Sequence, residues 1–302
     1  MYTGPWVRVY KPPPSITRTS IGLPAVTKIH DDDDARALGF KAGFVGGLTL
    51  EGVVAGAIDA SLGHPWYEGG IFSVRHRAPV YEGEVRVIWE ETEPDPEDTR
   101  KIAFWIEHKD GERSTPGWAS ISRPGHKPVP PWERQPSPEP PAADKDSLPE
   151  MRIGTSRLAF KAIVTMSEAI KRLDGFNDQN WWHRIASPWG DPILTVFELG
   201  YMPYQVYSQP QQSQPNRPSR LRTPMDAGHD TVIYEPLFTD RTYLLHAWLC
   251  AKWQTERSVF FAIEYRFEDQ SGKCVALMRA YSAHLIRDLG PPNDAGSSAH
   301  DN

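Results

Sequence analysis

The stretch VGGLTLEGVVAGAIDASL (residues 45–62), followed by GIFSVRHRAPVYEGEVRVIW (residues 70–89), decides the architecture of the first half of the chain. In the first segment Val45, Leu48, Val53 and Ile58 stand among small residues, the make-up of an apolar helix-like element. After it come the run Ile71 to Arg77, a turn at Pro79 to Glu84, and the alternation Val85, Val87, Trp89. A two-residue period of this kind marks a half-buried strand. Further strands are expected near Ile102–His108 and Gly117–Ser122, separated by the hairpin turn Lys109-Asp110-Gly111. One helix followed by several antiparallel strands is an α+β pattern, a helix laid on a meandering sheet.

The same order recurs downstream. His30 precedes the first apolar segment, and His183 precedes a second, Ile193 to Tyr204. A strand at Thr231–Tyr234 leads into the turn Pro236 to Asp240. Strands near Tyr243–Trp253, Val259–Phe267 and Cys274–His284 follow, with Asp269 to Gly272 as the matching hairpin turn. From histidine to turn proline is 49 residues in the first half and 53 in the second. Between the halves, Gly125 to Glu150 is dense in Pro, Glu and Ala and reads as an extended, semi-rigid spacer. The expected division is residues 1–125, a proline-rich linker 126–150, a second domain 151–289, and a polar tail 290–302 of disordered composition. The second half also carries a long irregular insertion, Gln205 to Asp230, rich in Gln, Ser, Pro and Arg, which reads equally as a flap over a pocket or as a surface loop.

Composition narrows the functional classes. The chain has 302 residues, 39% of them apolar, with 11 Trp, 11 Tyr and 11 Phe to fill two cores. Its formal charge of −6 and the lack of a basic cluster speak against nucleic acid as a partner. No segment is long and apolar enough for a membrane span or a signal peptide, so no membrane is expected and a cytoplasmic location is. Cys250 and Cys274, each inside a strand-like run, read as buried reduced thiols.

The segment Gly175 to His183 places Asp178, Asn180 and His183 within six positions, just ahead of an apolar segment. A carboxylate and an imidazole on one loop can share a water, the acid polarising it and the imidazole handling its proton. Asp, Asn and His are equally ordinary turn and cap residues. The ordered series D-x-N-x-x-H, helix, then a strand ending at a Pro-Leu-Phe turn with an acid resembles the MaoC-like hydratases of the hot-dog fold. In that family the first motif reads D-x-N-P-x-H; here Trp181 replaces the proline. In the first half Ile29-His30-Asp31, Phe44-Val45-Gly46-Gly47 and Pro79 to Glu84 are similar to the same family. Five positions before His30 stands Ala25, so that half lacks the acid.

The resemblance implies two tandem hot-dog domains, each an antiparallel sheet wrapped around a central helix, with chemistry in the second and substrate housing in the first. It implies Asp178 as base toward water, His183 as its proton-transfer partner, and Asn180 as the residue holding the loop. It also implies a helix-start donor for a thioester oxygen near Thr195 or Val196, where the family's His-Gly is missing. In the first half Gly47 keeps the glycine while Gly46 replaces the histidine, and His30 and Gly47 are that half's expected substrate-binding residues. Trp181 and Trp182 would line, or fill, the pocket. The implied activity is a hydratase or dehydratase on an α,β-unsaturated or β-hydroxy carbonyl compound, with an acyl thioester as its expected form. The alternatives are a dehydratase or cyclase on a larger polyketide-like substrate, and a degenerate ligand-binding or partner module. No cofactor is implied beyond coenzyme A or a carrier protein as the substrate's carrier. The oligomeric state stays open, with a homodimer as the candidate.

No metal ligands are assigned. Asp31 to Asp34 read as acids favouring a helix start. His64, His76, His108, His229 and His246 share no spacing, and structural or solvent-facing roles are expected of them. Glu51 and Glu198 occupy the helical segments where hot-dog thioesterases carry a carboxylate.

Overall fold

The computed structural model describes residues 1–11, 28–135, 138–154, 157–175, 180–208 and 224–289. In the first half, β1 (Tyr2–Thr3) and β2 (Val7–Val9) precede α1 (Asp32–Ala37) and the long helix α2 (Gly47–Leu62). Four strands follow: β3 (Gly70–Arg75), β4 (Gly83–Thr92), β5 (Asp98–His108) and β6 (Arg113–Ser122). The second half contains β7 (Arg157–Ile163), α3 (Met166–Gly175), α4 (Trp181–Arg184), α5 (Val196–Tyr201), β8 (Met225–Ile233), β9 (Thr242–Gln254), β10 (Ser258–Glu268) and β11 (Cys274–Leu285). Asp31 caps α1 by accepting from the amides of Asp33 and Asp34, so the acidic run serves a helix start.

All eleven strands form one sheet in the order β1-β4-β5-β6-β3-β8-β11-β10-β9-β7, with β2 also on β4. From the centre outward the two arms repeat: β3, β6, β5, β4 and β2 on one side, β8, β11, β10, β9 and β7 on the other. The seam pairs β3 with β8 antiparallel, Ile71 opposite Val232 and Ser73 opposite Asp230. A twofold relation between the halves thus passes through the middle of the sheet. Helix α2 buries Leu50, Val54 and Ile58, and the sheet contributes Phe72, Val74, Phe104 and Ile106 to the same core. Burying each such side chain stabilises by about 1.5–3 kcal/mol.

Two expectations change. The second central helix covers only Val196–Tyr201 and passes into a 3-10 segment, Met202–Ser208. Pro203 explains the stop: it has no N–H to continue the i to i−4 ladder. Strand β8 begins at Met225, six residues before the expected start, so the end of the supposed insertion is sheet. Its residues 209–223 lie outside those described, as does the tail from residue 290.

The proline-rich linker is tied down on both halves. Arg134 pairs with Asp98 of β5, whose side chain is fully buried, and with Asp95. Lys252 of β9 reaches Asp146 at 2.6 Å and the Leu148 carbonyl at 2.8 Å. Leu148, inside the expected extended spacer, is buried with Leu249, Val259 and Phe261. Cys250 and Cys274 are free thiols, each part-buried and not fully buried as expected. Among the described residues no helix is long and apolar enough to cross a membrane.

Candidate functional site

The two histidines of the sequence repeat are held alike. His30 Nδ1 lies 2.6 Å from the Phe44 carbonyl, and His183 Nδ1 lies 3.0 Å from that of Ile193. Phe44 and Ile193 each stand two residues before the cap of a central helix, Gly46 or Thr195. The next residues match as well: Val45 N–H bonds Val80, and Leu194 N–H bonds Leu237, each at 2.7 Å. A carbonyl only accepts, so both Nδ1 atoms carry hydrogen and the tautomer is set. Burial lowers the pKa of His30 against the smaller raising effect of its bond to Phe44.

Around Nε2 the two sites part. His183 Nε2 lies 2.8 Å from Oδ2 of Asp59, a residue near the end of α2 in the other half. Asn180 Nδ2 donates to the same oxygen at 2.7 Å, and the Tyr67 hydroxyl donates to Oδ1 at 2.6 Å. Asn180 also caps α4, accepting from the Trp182 amide at 3.1 Å. With Nδ1 committed as a donor, the short Nε2–Oδ2 contact requires one proton between imidazole and carboxylate. The His183 side chain is 1% exposed and that of Asp59 7%, an interior where such a pair is strongly coupled.

The structure therefore joins His183 and Asn180 to Asp59 and Tyr67, neither of which sequence reasoning singled out. Asp178, the expected acid, belongs to residues 176–179, outside those described; Ala25, its counterpart ahead of His30, is outside them too. Trp181 does not line an interior pocket: it is 52% exposed. Trp182 turns inward, edge-on to His64 with ring centroids 6.0 Å apart. The expected oxyanion donor at Thr195 is corrected as well. Its amide bonds Glu198 Oε2 at 2.9 Å, its hydroxyl bonds the same oxygen, and the residue is buried. A capping box closes this helix start and takes the donor. Val196, the other candidate donor, is the first residue of α5 and is buried. Burial raises the pKa of Glu198, although Thr195 and Arg172 oppose it.

A second polar cluster lies farther up α2. Glu51 Oε1 is 2.5 Å from His229 Nδ1 and 3.2 Å from His76 Nε2. Asp226 Oδ2 stands 3.9 Å from His76 Nε2, and Asp226 Oδ1 4.0 Å from His229 Nε2. Burial alone would raise Glu51, yet the charge and hydrogen bond of His229, with His76, hold it at about 2. For His229 burial is likewise overcome, by Glu51 and Asp226, and it is pushed up to about 9. One ligand atom from each of the four lies within 4.8 Å of all the others, an arrangement able to hold a metal ion. Gly47 starts α2 beside this cluster: a Cβ there would sit 2.5 Å from the His76 ring and 2.6 Å from Asp226 Oδ2.

One sequence signal marked both clusters. In residues 45–62 the only charged side chains are Glu51 and Asp59, one for each. Apart from Tyr67, eight positions after Asp59, their partners are 25 to 178 positions away and carry no spacing signal.

This chain has the double hot-dog fold, which it shares with solved structures that cover nearly all of it. A double hotdog protein of Mycobacterium tuberculosis, RV0216, described as a conserved hypothetical protein essential for bacterial survival during infection, superposes with TM-score 0.53 at 13% identity, covering 94% of this chain and 96% of that one. A putative MaoC domain protein dehydratase of Chloroflexus aurantiacus gives TM-score 0.53 at 11% identity, over 94% of this chain and 96% of its own. A structure described as a MaoC-like dehydratase gives 0.52 at 13%, over 92% and 97%. No protein-family model matches the chain, and no curated protein matches it in sequence.

Proposed function

We propose that this protein is a hydratase or dehydratase acting on an α,β-unsaturated or β-hydroxy acyl thioester, carried by coenzyme A or a carrier protein, with His183 and Asp59 as its proton-exchanging pair. The observation that carries the reading is the 2.8 Å contact between His183 Nε2 and Asp59 Oδ2, in a loop whose D-x-N-x-x-H pattern resembles that of the MaoC-like hydratases. In dehydration the pair gives its proton to the departing β-hydroxyl. The C–O bond breaks as the α-proton leaves and the double bond forms. In hydration a water returns the proton to the pair as its oxygen bonds the β-carbon. Asp178, which the resemblance gives as base toward water, is reassigned to take the α-proton, because His183 and Asp59 already serve the oxygen. Asn180 and Tyr67 aim the Asp59 carboxylate by donating one hydrogen bond to each of its oxygens. The rings of Tyr67, His64, Trp182 and Trp189, edge-on to one another beside His183, also suit the larger polyketide-like substrate.

A second reading has its own observation. Three donors fill the Asp59 carboxylate and both His183 nitrogens are engaged, so the pair also suits a structural tie in a catalytically inactive module. Hydration of crotonyl-CoA and longer enoyl-CoA thioesters, followed by loss of the enoyl absorbance, separates the two. Turnover by the wild type, reduced at least about a hundredfold in His183→Gln and Asp59→Asn, supports the enzyme. Wild-type turnover that survives both substitutions sinks the proton-exchanging role. Inertness toward every thioester, with His183→Gln only less stable, selects the module. Asp178→Asn, measured alongside, reports whether the motif acid belongs to the chemistry.

A further inference from the structure

We propose that Glu51, His76, Asp226 and His229 form a binding site for one divalent first-row transition-metal ion at the seam between the two halves. The four residues come from α2, the chain just after β3, and β8. They gather two imidazoles and two carboxylates, with one ligand atom of each within 4.8 Å of the rest. Bonds of about 2.0–2.2 Å in a tetrahedral site place ligand atoms roughly 3.3–3.6 Å apart. Closing to that spacing asks for about 1.5 Å at most, within reach of small torsions in the Glu51 and Asp226 side chains.

The cluster is interior and its valence is incomplete. The side chains of Glu51, His76 and His229 are 1%, 6% and 2% exposed. Glu51 Oε2, His76 Nδ1 and Asp226 Oδ2 are buried with no hydrogen-bond partner. The Asp226 side chain, 14% exposed, opens the cluster on one side, and buried oxygens without donors are costly unless something coordinates them.

The backbone is shaped for this convergence. Asp226 and His229 are three apart, which on a regular strand would put them on opposite faces. Between them β8 shifts register: Tyr281 pairs with Gly228, but Ser282 pairs with Asp226. That bulge, with Ala227 as the extra residue, brings Asp226 round to the face of His229. Gly228 has φ +128, and a Cβ there would lie 2.1 Å from the Val74 carbonyl oxygen. Gly47 leaves the space into which His76 and Asp226 close.

The donor set selects the ion. Imidazole with carboxylate and no thiolate suits Zn²⁺, Fe²⁺ or Mn²⁺, whereas Ca²⁺ and Mg²⁺ prefer all-oxygen shells. Glu51 and Asp59 are eight residues apart on one helix, about 12 Å of axial rise. The metal site and the His183 pair are therefore separate, and the proposal stands whether or not the protein is a hydratase.

The test uses the full chain, stripped with a chelator and titrated by calorimetry with Zn²⁺, Mn²⁺, Co²⁺, Mg²⁺ and Ca²⁺, with visible spectra recorded for Co²⁺. Expected are saturation at one transition-metal ion per chain, d–d bands of a low-coordinate Co²⁺ centre, and no saturation with Mg²⁺ or Ca²⁺. Both Asp226→Asn and His76→Gln should weaken binding at least tenfold while circular dichroism stays native. No saturable binding by the wild type overturns the proposal, and so does binding unchanged in both variants. Saturation by Mg²⁺ or Ca²⁺ as tight as by Zn²⁺ overturns the assignment of the ion. Should either variant lose its native spectrum, Glu51→Gln and the Co²⁺ bands of the wild type decide in its place.

Discussion

His183 Nε2 and Asp59 Oδ2 stand 2.8 Å apart, joining an imidazole of the second half to the end of the central helix of the first. Neither half alone holds this pair. His30, the counterpart of His183, keeps the same Nδ1 bond to its own half. The repeat thus carries the histidine twice, while the described carboxylate partner occurs once.

Breaking that pair should cost stability in a way that reveals the coupling. Asp59→Ala and His183→Ala are each expected to destabilise by about 3–5 kcal/mol, because each leaves a buried group without its partner. The double variant should lose less than the sum, by about 1–3 kcal/mol. Urea unfolding of the four proteins measures the cycle. Strict additivity would show that the contact contributes nothing of its own.

The legible part of this site was the part written locally. Asn180 and His183 fall within four positions, and an eye for motifs finds them, whereas Asp178 beside them lies outside the described residues. Asp59 sits 124 positions from His183 and is written as one acid in an apolar helix. Its meaning depends on which surface that helix meets. The hairpins were legible because the period of two and the turn chemistry are local. Strand β8 was half hidden, because Asp226, Gly228, His229 and Asp230 break the apolar alternation expected of a central strand. Only the neighbouring strand and helix reveal that these polar groups face partners. The linker misled for the reverse reason: proline-rich composition reads as spacer, and one Leu148 with two ionic ties is enough to fasten it.

Gly228 should be the least replaceable glycine of the seam. Its φ of +128 lies where L residues are strained, and an added Cβ would meet backbone at 2.1 Å, not a movable side-chain end. Gly228→Ala is expected to destabilise by on the order of 2–3 kcal/mol. Gly56, in the middle of α2 with nothing within 4 Å of an added Cβ, is the control. There alanine should stabilise by roughly 0.5–1 kcal/mol through helix propensity. Equal effects at the two positions would contradict the packing at the seam.

Arg75 should hold the two halves together through Asp230. Its two guanidinium nitrogens meet the two carboxylate oxygens at 2.7 and 2.9 Å, and the Tyr281 hydroxyl adds a bond of 2.6 Å. The Asp230 side chain is 1% exposed. Arg75→Ala leaves that charge in the interior and is expected to cost about 3–5 kcal/mol. Arg75→Lys keeps the charge but loses the two-pronged geometry, so a smaller loss follows. Tyr281→Phe removes one charge-assisted bond, about 1.5–3 kcal/mol. Thermal and denaturant unfolding rank the three. An Arg75→Lys protein as stable as the wild type would mean that the forked contact is dispensable.

Glu198 should give the protein a pH dependence opposite to that of an ordinary ion-paired carboxylate. Its folded pKa is raised, chiefly by burial, so the folded state holds this proton at pH values where the unfolded chain has released it. Stability therefore grows with proton binding. The contribution is fully present below the unfolded carboxylate value of about 4.3 and declines as pH rises through the raised folded value. Glu198→Gln stands in for the protonated acid. It should unfold at a denaturant midpoint near that of the wild type at the acid end of the window and above it toward neutrality. The difference between the two curves, read from pH 4 upward (roughly the unfolded value), isolates this one group from every other titration. A difference that does not change with pH would mean that Glu198 is ionised throughout. Arg172, whose Nε lies 3.8 Å from its Oε1, would then be the partner that keeps it so.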